Sequence, residues 1–215
     1  MVDFPEFHFH IFSLKDKMAN LNQIIIIVCE GVSEKAYIQE LNRIFKEKEY
    51  NFKLVSKISE GGQYQTVINK FKSVRTINPK DKIYIWVDYD LYKRNDQGCF
   101  DKYRDKPKDI PDFLFSKMNF EDVLILHSEK IILDNWLKQC YKRNHFERPL
   151  QSAEFEPLFN RFCEKYFNIS YRKGEIPFEM DEEKLLTIFN NIKTKAVPID
   201  SDFHKMLLEY LPLDF

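Results

Sequence analysis

Acidic side chains follow two strongly apolar runs of the sequence. Glu30 comes directly after Ile24–Cys29, and the pair Asp88 and Asp90 follows Ile83–Val87. Unbroken runs of β-branched and aromatic residues are typical of strands that are buried on both faces of a parallel sheet. Ionisable side chains avoid full burial, so we expect these carboxylates at the carboxyl edge of the sheet, where ligands bind in open α/β folds.

We expect these carboxylates to lie close enough to share a cation, within ~8 Å of one another. Asp88 and Asp90 are two residues apart in an extended segment, so their side chains point the same way. Neighbouring strands are only ~4.8 Å apart. Carboxylates this close repel one another unless a cation lies between them, and oxygen ligands favour Mg²⁺ or Mn²⁺. The alternative is that the acidic residues only cap the helices that follow. The same alternatives are open for Glu34, a candidate second ligand in a predicted first helical turn.

Hydrophobic periodicity predicts the elements that must position these residues. Helical spacing follows the first apolar run, with Ser33 as the N-cap of a helix that starts at Glu34. A fourth strand is predicted at Val123–His127, after a short helix around Phe113–Met118. His127 would then end on the same edge, either as a proton shuttle or as a hydrogen-bonded structural residue. The other predicted elements are a strand at Phe52–Ile58, a helix through Val67, Ile68, Phe71 and Val74, and a helix at Glu129–Tyr141.

The alternation of predicted strands and helices indicates an α/β fold with a mostly parallel four-stranded sheet flanked by helices. We assign residues 22–141 to this domain, residues 1–21 to an N-terminal arm and residues 142–215 to a helical C-terminal extension. Helical patterns in the extension cover Ala153–Phe167, Glu182–Ile192 and Phe203–Tyr210.

Composition limits the classes of function. The formal net charge is −1, so any phosphate-binding surface must be local. The four cysteines show no CxxC spacing, which argues against a zinc knuckle or a disulfide framework and fits a reducing cytoplasm. No apolar stretch approaches the ~20 residues of a membrane span. We therefore expect a cytoplasmic protein with no membrane partner.

A basic stretch near the end of the main predicted domain is a candidate nucleic-acid contact. Lys138, Lys142 and Arg143 occur there together with the aromatic residues Tyr141 and Phe146. This combination suits phosphate contact and base stacking. Basic residues at a helix end also complement the helix dipole, so both interpretations stay open.

Two motifs resemble those of Toprim domains, which topoisomerases, bacterial primases and OLD-type nucleases share. They are Val28-Cys29-Glu30-Gly31-x-x-Glu34 and Val87-Asp88-Tyr89-Asp90. Within that group the chain is most similar to the small RloB-like proteins of bacterial defence loci. Those proteins also have a "VCEG-x-x-E" strand–helix junction, and a glycine-rich turn like Gly61-Gly62. The resemblance covers roughly residues 22–141.

The resemblance implies a Toprim-like, Rossmann-like fold that carries a Mg²⁺- or Mn²⁺-dependent nuclease site. Glu30, Asp88 and Asp90 would be the metal ligands, and Glu34 would complete a second metal position. Asp134 is a further candidate for that position. It lies in an acidic-x-Trp helix motif that the chain matches in part, with Asp where Glu is expected.

The function that the resemblance implies is phosphodiester hydrolysis of DNA or RNA in bacterial anti-phage defence. Lys93 and Arg94 would supply a cation near the scissile phosphate, or they are solvated loop residues. Nucleic acid is the expected partner, and an ATPase or another defence-system protein and a homo-oligomer are further candidates. The competing hypothesis is a non-catalytic module of the same fold that docks a partner protein, a nucleic acid or a nucleotide. A third is a nucleotidyl or phosphoryl transferase that uses the same carboxylates.

Overall fold

Strands and helices alternate through the first half of the chain, and helices dominate the second half. The computed structural model describes residues 23–89, 105–143, 145, 150–195 and 197–212. The strands are β1 (Gln23–Cys29), β2 (Phe52–Ile58), β3 (Lys82–Asp88), β4 (Phe113–Lys117) and β5 (Asp200–Ser201). The helices are α1 (Val32–Glu47), α2 (Tyr64–Ile77), α3 (Phe120–Ile125), α4 (Lys130–Lys142), α5 (Ser152–Tyr166), α6 (Glu182–Lys193) and α7 (Asp202–Leu207).

The strands form one sheet in the order β2-β1-β3-β4-β5. β1 is parallel to both β2 and β3, β3 is parallel to β4, and only β5 is antiparallel to its neighbour. The predicted α/β class, with a mostly parallel sheet flanked by helices, is therefore confirmed. The predicted number of four strands is wrong, because the two-residue β5 is too short to give a periodic signal.

The interior strand β1 is buried on both faces, as its apolar run predicts. Ile25, Ile27 and Cys29 point into a core formed with α1 and the C-terminal helices, and each is 0% exposed. Ile26 and Val28 point into a second core, formed with α2 on the opposite face. Burying an aliphatic side chain contributes about 1.5–3 kcal/mol, so both faces of β1 stabilise the fold and favour an interior position in the sheet, between β2 and β3.

The prediction for residues 113–127 is wrong, because the strand and the helix are exchanged. Phe113–Lys117 forms β4, parallel to β3, and the predicted strand at Val123–His127 is instead α3 and the turn after it. Val123 to Leu126 are all 0% exposed. A segment buried on every side has no periodic pattern, so apolar residues alone cannot separate strand from helix there. The helix signal lies at its start, where the Asp122 carboxylate accepts the backbone N–H of Asn119 (3.3 Å).

Helix α1 begins two residues earlier than predicted. Gly31, not Ser33, is the N-cap, and Glu34 takes the third helical position. The Glu34 carboxylate accepts the backbone N–H of Gly31 at 3.2 Å, as in a capping box. Ser33 therefore does not cap the helix, and its hydroxyl accepts the backbone N–H of Gly174 instead (3.0 Å).

The C-terminal helices pack against the sheet. The three predicted helices in this region are confirmed as α5, α6 and α7. Phe203 of α7 stacks on Trp86 of β3, with ring centroids 4.0 Å apart. Both residues are 0% exposed and belong to the same core as α1. Residues after 150 thus help to position the strand that ends in Asp88.

Candidate metal centre

Glu30 and Asp88 lie side by side at the carboxyl edge of the sheet. β1 and β3 are neighbours, with Cys29 opposite Trp86, so both strands end at the same height. The Glu30 carboxylate accepts the backbone N–H of Asp88 at 2.8 Å. That bond holds Glu30 across the end of β3 and leaves its second oxygen available.

Glu34 joins this pair from the first turn of α1. One oxygen from each of Glu30, Glu34 and Asp88 lies within 4.8 Å of the other two. Glu34 is 5% exposed, and Glu30 and Asp88 are half-buried. The structure therefore brings together three of the predicted ligands. Asp90, another predicted ligand, lies outside the described residues.

Three further ionisable residues (Glu60, Glu121 and Lys173) border the same cavity, and the sequence patterns predict none of them. The cavity has a volume of about 410 Å³ and includes Glu121 and Lys173 in its wall. Glu121 lies in the first turn of α3, and its carboxylate accepts the hydroxyl of Tyr171 (3.2 Å). Among the described residues that line this cavity, Lys173 is the one cation.

The segment that carries Lys173 is fixed to the start of α1. Gly174 donates its backbone N–H to the Ser33 hydroxyl (3.0 Å). Gly174 has φ +92°, and a Cβ atom there would lie 3.2 Å from the Val32 side chain. A glycine is therefore required for this close approach in this conformation. Together with the bond from Tyr171 to Glu121, this contact places the Tyr171–Gly174 segment beside the carboxylates.

Burial and mutual repulsion raise the pKa of Glu30, Glu34 and Asp88. Burial is the largest cause for Glu30, followed by the charge of Glu34. The pKa of Asp88 is raised well above its usual value by burial, then by Glu30 and Glu34. Burial and then the charge of Glu121 raise the pKa of Glu34, while backbone hydrogen bonds lower it. The environment thus disfavours several negative charges at once unless a cation offsets them.

The donor set fits a hard divalent cation. Carboxylate oxygens are the ligands that Mg²⁺ and Mn²⁺ prefer. The Asp88 Oδ1 atom is buried and has no hydrogen-bond partner among the described residues. A buried acceptor without a partner is costly, and a cation bound by Asp88 together with Glu30 and Glu34 would remove that cost.

A second group of potential metal ligands is better described as a hydrogen-bond network. Asp122, Cys140 and His145 are all 0% exposed and lie within ligand distance of one another. Unlike Asp88, Asp122 has a hydrogen-bond partner for each of its carboxylate oxygens. Oδ1 accepts the indole N–H of Trp136 (2.8 Å), and Oδ2 lies 2.8 Å from His145 Nε2. The network joins α3 to the end of α4.

His127 does not lie at the sheet edge, which corrects the prediction. It follows α3 rather than ending a strand, and it is 1% exposed. Its Nε2 atom lies 2.7 Å from the hydroxyl of Tyr37, and its Nδ1 atom lies 3.0 Å from the backbone carbonyl of Lys184. A proton shuttle in contact with substrate needs access to the cavity, and His127 faces the core.

Asp134 also lies apart from the carboxylate cluster. It is on α4, where both of its oxygens accept hydrogen bonds from Lys130 Nζ one turn earlier (2.9 and 3.0 Å). This is a surface ion pair between residues i and i+4. The structure therefore does not place Asp134 with the other predicted ligands.

The predicted nucleic-acid contacts are placed only in part. Lys138, Lys142 and Arg143 are exposed along the last turns of α4, so they are accessible to a partner. Lys93 and Arg94 lie outside the described residues, as does the predicted N-terminal arm.

Glu121 and Lys173 differ in whether a sequence signal could have predicted their place in the cavity wall. Glu121 comes four residues after Lys117, so a correct placement of β4 would have put it at the same sheet edge. Lys173 lies outside any motif and reaches the cavity only through tertiary packing.

Comparison of the chain with protein-family models, with curated proteins and with solved structures finds no match.

Within the described ranges, no helix is both long enough and apolar enough to cross a membrane. The described cysteines (Cys29, Cys140 and Cys163) are free and buried.

Proposed function

We propose that this protein is a Mg²⁺- or Mn²⁺-dependent phosphodiesterase of the Toprim class that acts on DNA or RNA. Two observations on one cluster carry this proposal: Glu30, Glu34 and Asp88 converge, and the buried Oδ1 atom of Asp88 has no hydrogen-bond partner among the described residues. Their positions after β1, at the start of α1 and at the end of β3 agree with the motifs that resemble Toprim domains.

The carboxylates of Glu30, Glu34 and Asp88 would hold the metal, and Asp90 is a further ligand that the resemblance implies. A bound divalent cation at such a site polarises a phosphoryl oxygen and lowers the pKa of a bound water. Glu60 and Glu121 add two further carboxylates to the cavity wall, which favours cations over an isolated phosphate. The protein's own contribution is to hold these oxygens in place before substrate binds.

Lys173 is the candidate cation for the scissile phosphate. It lines the same cavity as Glu30 and Glu121 on a segment fixed by backbone and side-chain hydrogen bonds. An ammonium group there can donate to a non-bridging phosphate oxygen and offset the negative charge that develops as the bond breaks. Lys93 and Arg94 keep the same proposed role from the sequence.

Nucleic acid is the substrate that suits this arrangement, and bacterial anti-phage defence is the setting that the resemblance suggests. The exposed basic residues at the end of α4 (Lys138, Lys142 and Arg143) are candidate backbone contacts. An ATPase or another defence-system protein remains a proposed partner.

Cleavage assays with matched variants test the proposal. Wild-type protein is incubated with plasmid DNA and with tRNA, with and without Mg²⁺ or Mn²⁺. We expect divalent-dependent cleavage that Glu30→Ala and Asp88→Ala reduce by at least about a hundredfold, since losing a metal ligand removes several kcal/mol of transition-state stabilisation. Asp134→Asn is the control and should cleave like wild type.

The outcomes separate the hypotheses. If the wild type binds Mn²⁺ but cleaves neither substrate, the non-catalytic binding module becomes the better description. If both alanine variants cleave as fast as wild type, the assigned site is wrong.

A further inference from the structure

A chain of buried hydrogen bonds runs through the core behind the carboxylate cluster. The hydroxyl of Tyr37 lies 2.7 Å from His127 Nε2 and 2.6 Å from His204 Nε2. All three side chains are at most 1% exposed. The histidines are supplied by different parts of the chain, one by the turn after α3 and the other by α7.

The chemistry at the two ends of this chain fixes the direction of every hydrogen bond. His127 Nδ1 faces the carbonyl oxygen of Lys184 at 3.0 Å, and a carbonyl can only accept. His127 therefore has its proton on Nδ1, and its Nε2 atom accepts from the Tyr37 hydroxyl. Tyr37 has then used its only proton, so its oxygen must accept from His204 Nε2–H. His204 Nδ1 consequently accepts from the hydroxyl of Ser201, which lies 2.8 Å away.

Burial lowers the pKa of both histidines and so keeps them neutral, and their hydrogen bonds make them opposite tautomers. The chain runs from Ser201 to His204, Tyr37, His127 and finally the carbonyl of Lys184. Each ring nitrogen is used once, and the Tyr37 hydroxyl both donates and accepts. Such a fully satisfied buried network specifies a single arrangement of the elements that it joins.

Tyr37 also contacts the neighbours of the carboxylates. It lies one helical turn after Glu34 on the same buried face of α1. Its ring packs edge-on against Trp86, two residues before Asp88, with centroids 6.2 Å apart. It packs in the same way against Phe120, next to Glu121, with centroids 5.7 Å apart. Tyr37 thus lies on the helix that carries Glu34 and contacts both the strand that ends in Asp88 and the helix that carries Glu121.

We propose that Tyr37 is a positioning residue for the carboxylate cluster, and that the Ser201–His204–Tyr37–His127 chain holds it in place. This inference rests on the proposed metal site, since it assigns Tyr37 a role in shaping that site. It also gives the C-terminal residues a function, because Ser201 and His204 fix a side chain on the helix that carries Glu34.

The matched variants are Tyr37→Phe and Tyr84→Phe. Each removes one hydroxyl from a hydrogen-bonded tyrosine, but the Tyr84 hydroxyl bonds that of Tyr210 (3.0 Å), away from the cluster. Three readouts are measured: the ¹⁵N shifts of the histidine rings, the amide resonances of Gly31 and Asp88, and Mn²⁺ affinity. The two amides donate to Glu34 and Glu30, so they report on carboxylate placement without any metal.

We expect wild type to show His127 protonated on Nδ1 and His204 protonated on Nε2. Tyr37→Phe should shift both amide resonances by more than their linewidths and weaken Mn²⁺ binding about tenfold, the lower end of the effect of residues behind metal ligands. Tyr84→Phe should change neither. If Tyr37→Phe does not fold, Ser201→Ala, which removes the first donor of the chain, should shift the same amides.

The proposal fails if both histidines have the same tautomer in wild type. It also fails if a folded Tyr37→Phe variant leaves the two amides and Mn²⁺ affinity unchanged. If wild type binds no Mn²⁺ at all, the proposed function fails, while the tautomers and the amide shifts still decide the role of Tyr37.

Discussion

Replacing Asp88 with asparagine gives opposite expectations for the metal-free and the metal-bound protein. The substitution keeps the size and one carbonyl oxygen of the side chain but removes its charge. It leaves the backbone N–H of Asp88, which Glu30 accepts, in place. Its new amide group can donate to the carboxylates of Glu30 and Glu34, whose nearest oxygens lie within 4.8 Å. We therefore expect D88N to stabilise the metal-free protein.

The magnitude follows from the distances. Two ionised carboxylates 4.8 Å apart repel by about 3 kcal/mol at an effective dielectric constant of ~20. Protonation within the cluster relieves part of this repulsion, as the raised pKa values of Glu30 and Glu34 indicate. We expect a gain of about 2 kcal/mol, which raises the Tm of a chain of this size by about 4–8 °C.

Divalent metal should reverse the order of the two Tm values, so that wild type becomes more stable than D88N. At a free Mn²⁺ concentration of about 100 times the wild-type Kd, binding stabilises the wild type by about 2.7 kcal/mol. D88N loses a ligand and should show almost no Mn²⁺-dependent rise in Tm. The control D134N removes only a surface ion pair with Lys130, which contributes about 0.5 kcal/mol. It should keep the full metal-dependent rise.

Thermal unfolding with EDTA and with increasing Mn²⁺ measures both effects. The reasoning is refuted if D88N unfolds at a lower temperature than wild type in EDTA and still gains the full increment from Mn²⁺. Such a result would mean that Asp88 is a structural acceptor and not a ligand under charge repulsion.

Three further predictions test other parts of the site and the core. Lys173→Met should slow cleavage by about a hundredfold, as expected for the loss of a group that stabilises the transition state. It should also tighten Mn²⁺ binding slightly in a titration, because a competing positive charge is removed. Gly174→Ala should lower the free energy of unfolding in urea by about 1–3 kcal/mol, since alanine is strained at φ +92° and meets Val32. Acid should destabilise the protein through His127, whose pKa burial lowers to about 3 from 6.5. Below pH 6.5 the unfolded state binds a proton at His127 that the folded state does not. The contribution of His127 to the free energy of unfolding is therefore complete above pH 6.5 and is lost as the pH falls. Urea titrations should show a free energy of unfolding that is lower by about 2 kcal/mol at pH 5. A His127→Gln variant should lose this part of the pH dependence.

The first three strands could be predicted because each has its own local signal. The run in β1 is apolar without interruption, and the same is nearly true of β3, so burial on both faces can be read directly from the residues. Glu30 and Asp88 could then be placed at one edge, because adjacent parallel strands end together. Glu34 is a candidate from its place in the predicted first helical turn, and the resemblance implies its metal role, although the helix begins two residues earlier than predicted.

The exchange of strand and helix after residue 112 shows that local sequence patterns do not distinguish the two in a fully buried segment. Phe113–Lys117 is short, and α3 is buried on all sides, so neither has a period that separates the two states. A strand predicted at Val123–His127 puts His127 at the sheet edge. It also leaves Glu121 out of the site, although Glu121 follows the observed strand β4. Secondary structure and site assignment therefore failed together, for one physical reason.

The charges of the site come from two parts of the chain. The described carboxylates that line the cavity all precede residue 142 (Glu30, Glu34, Glu60, Asp88 and Glu121), whereas Lys173 follows α5. The acidic part alone would concentrate negative charge without the cation that faces it. The segment with Lys173 can take its position only when α5 and α6 pack on the same core as α1. If the proposed function is right, we therefore expect metal affinity and phosphate contact to be coupled through the fold, so that a change that loosens the C-terminal helices affects both together.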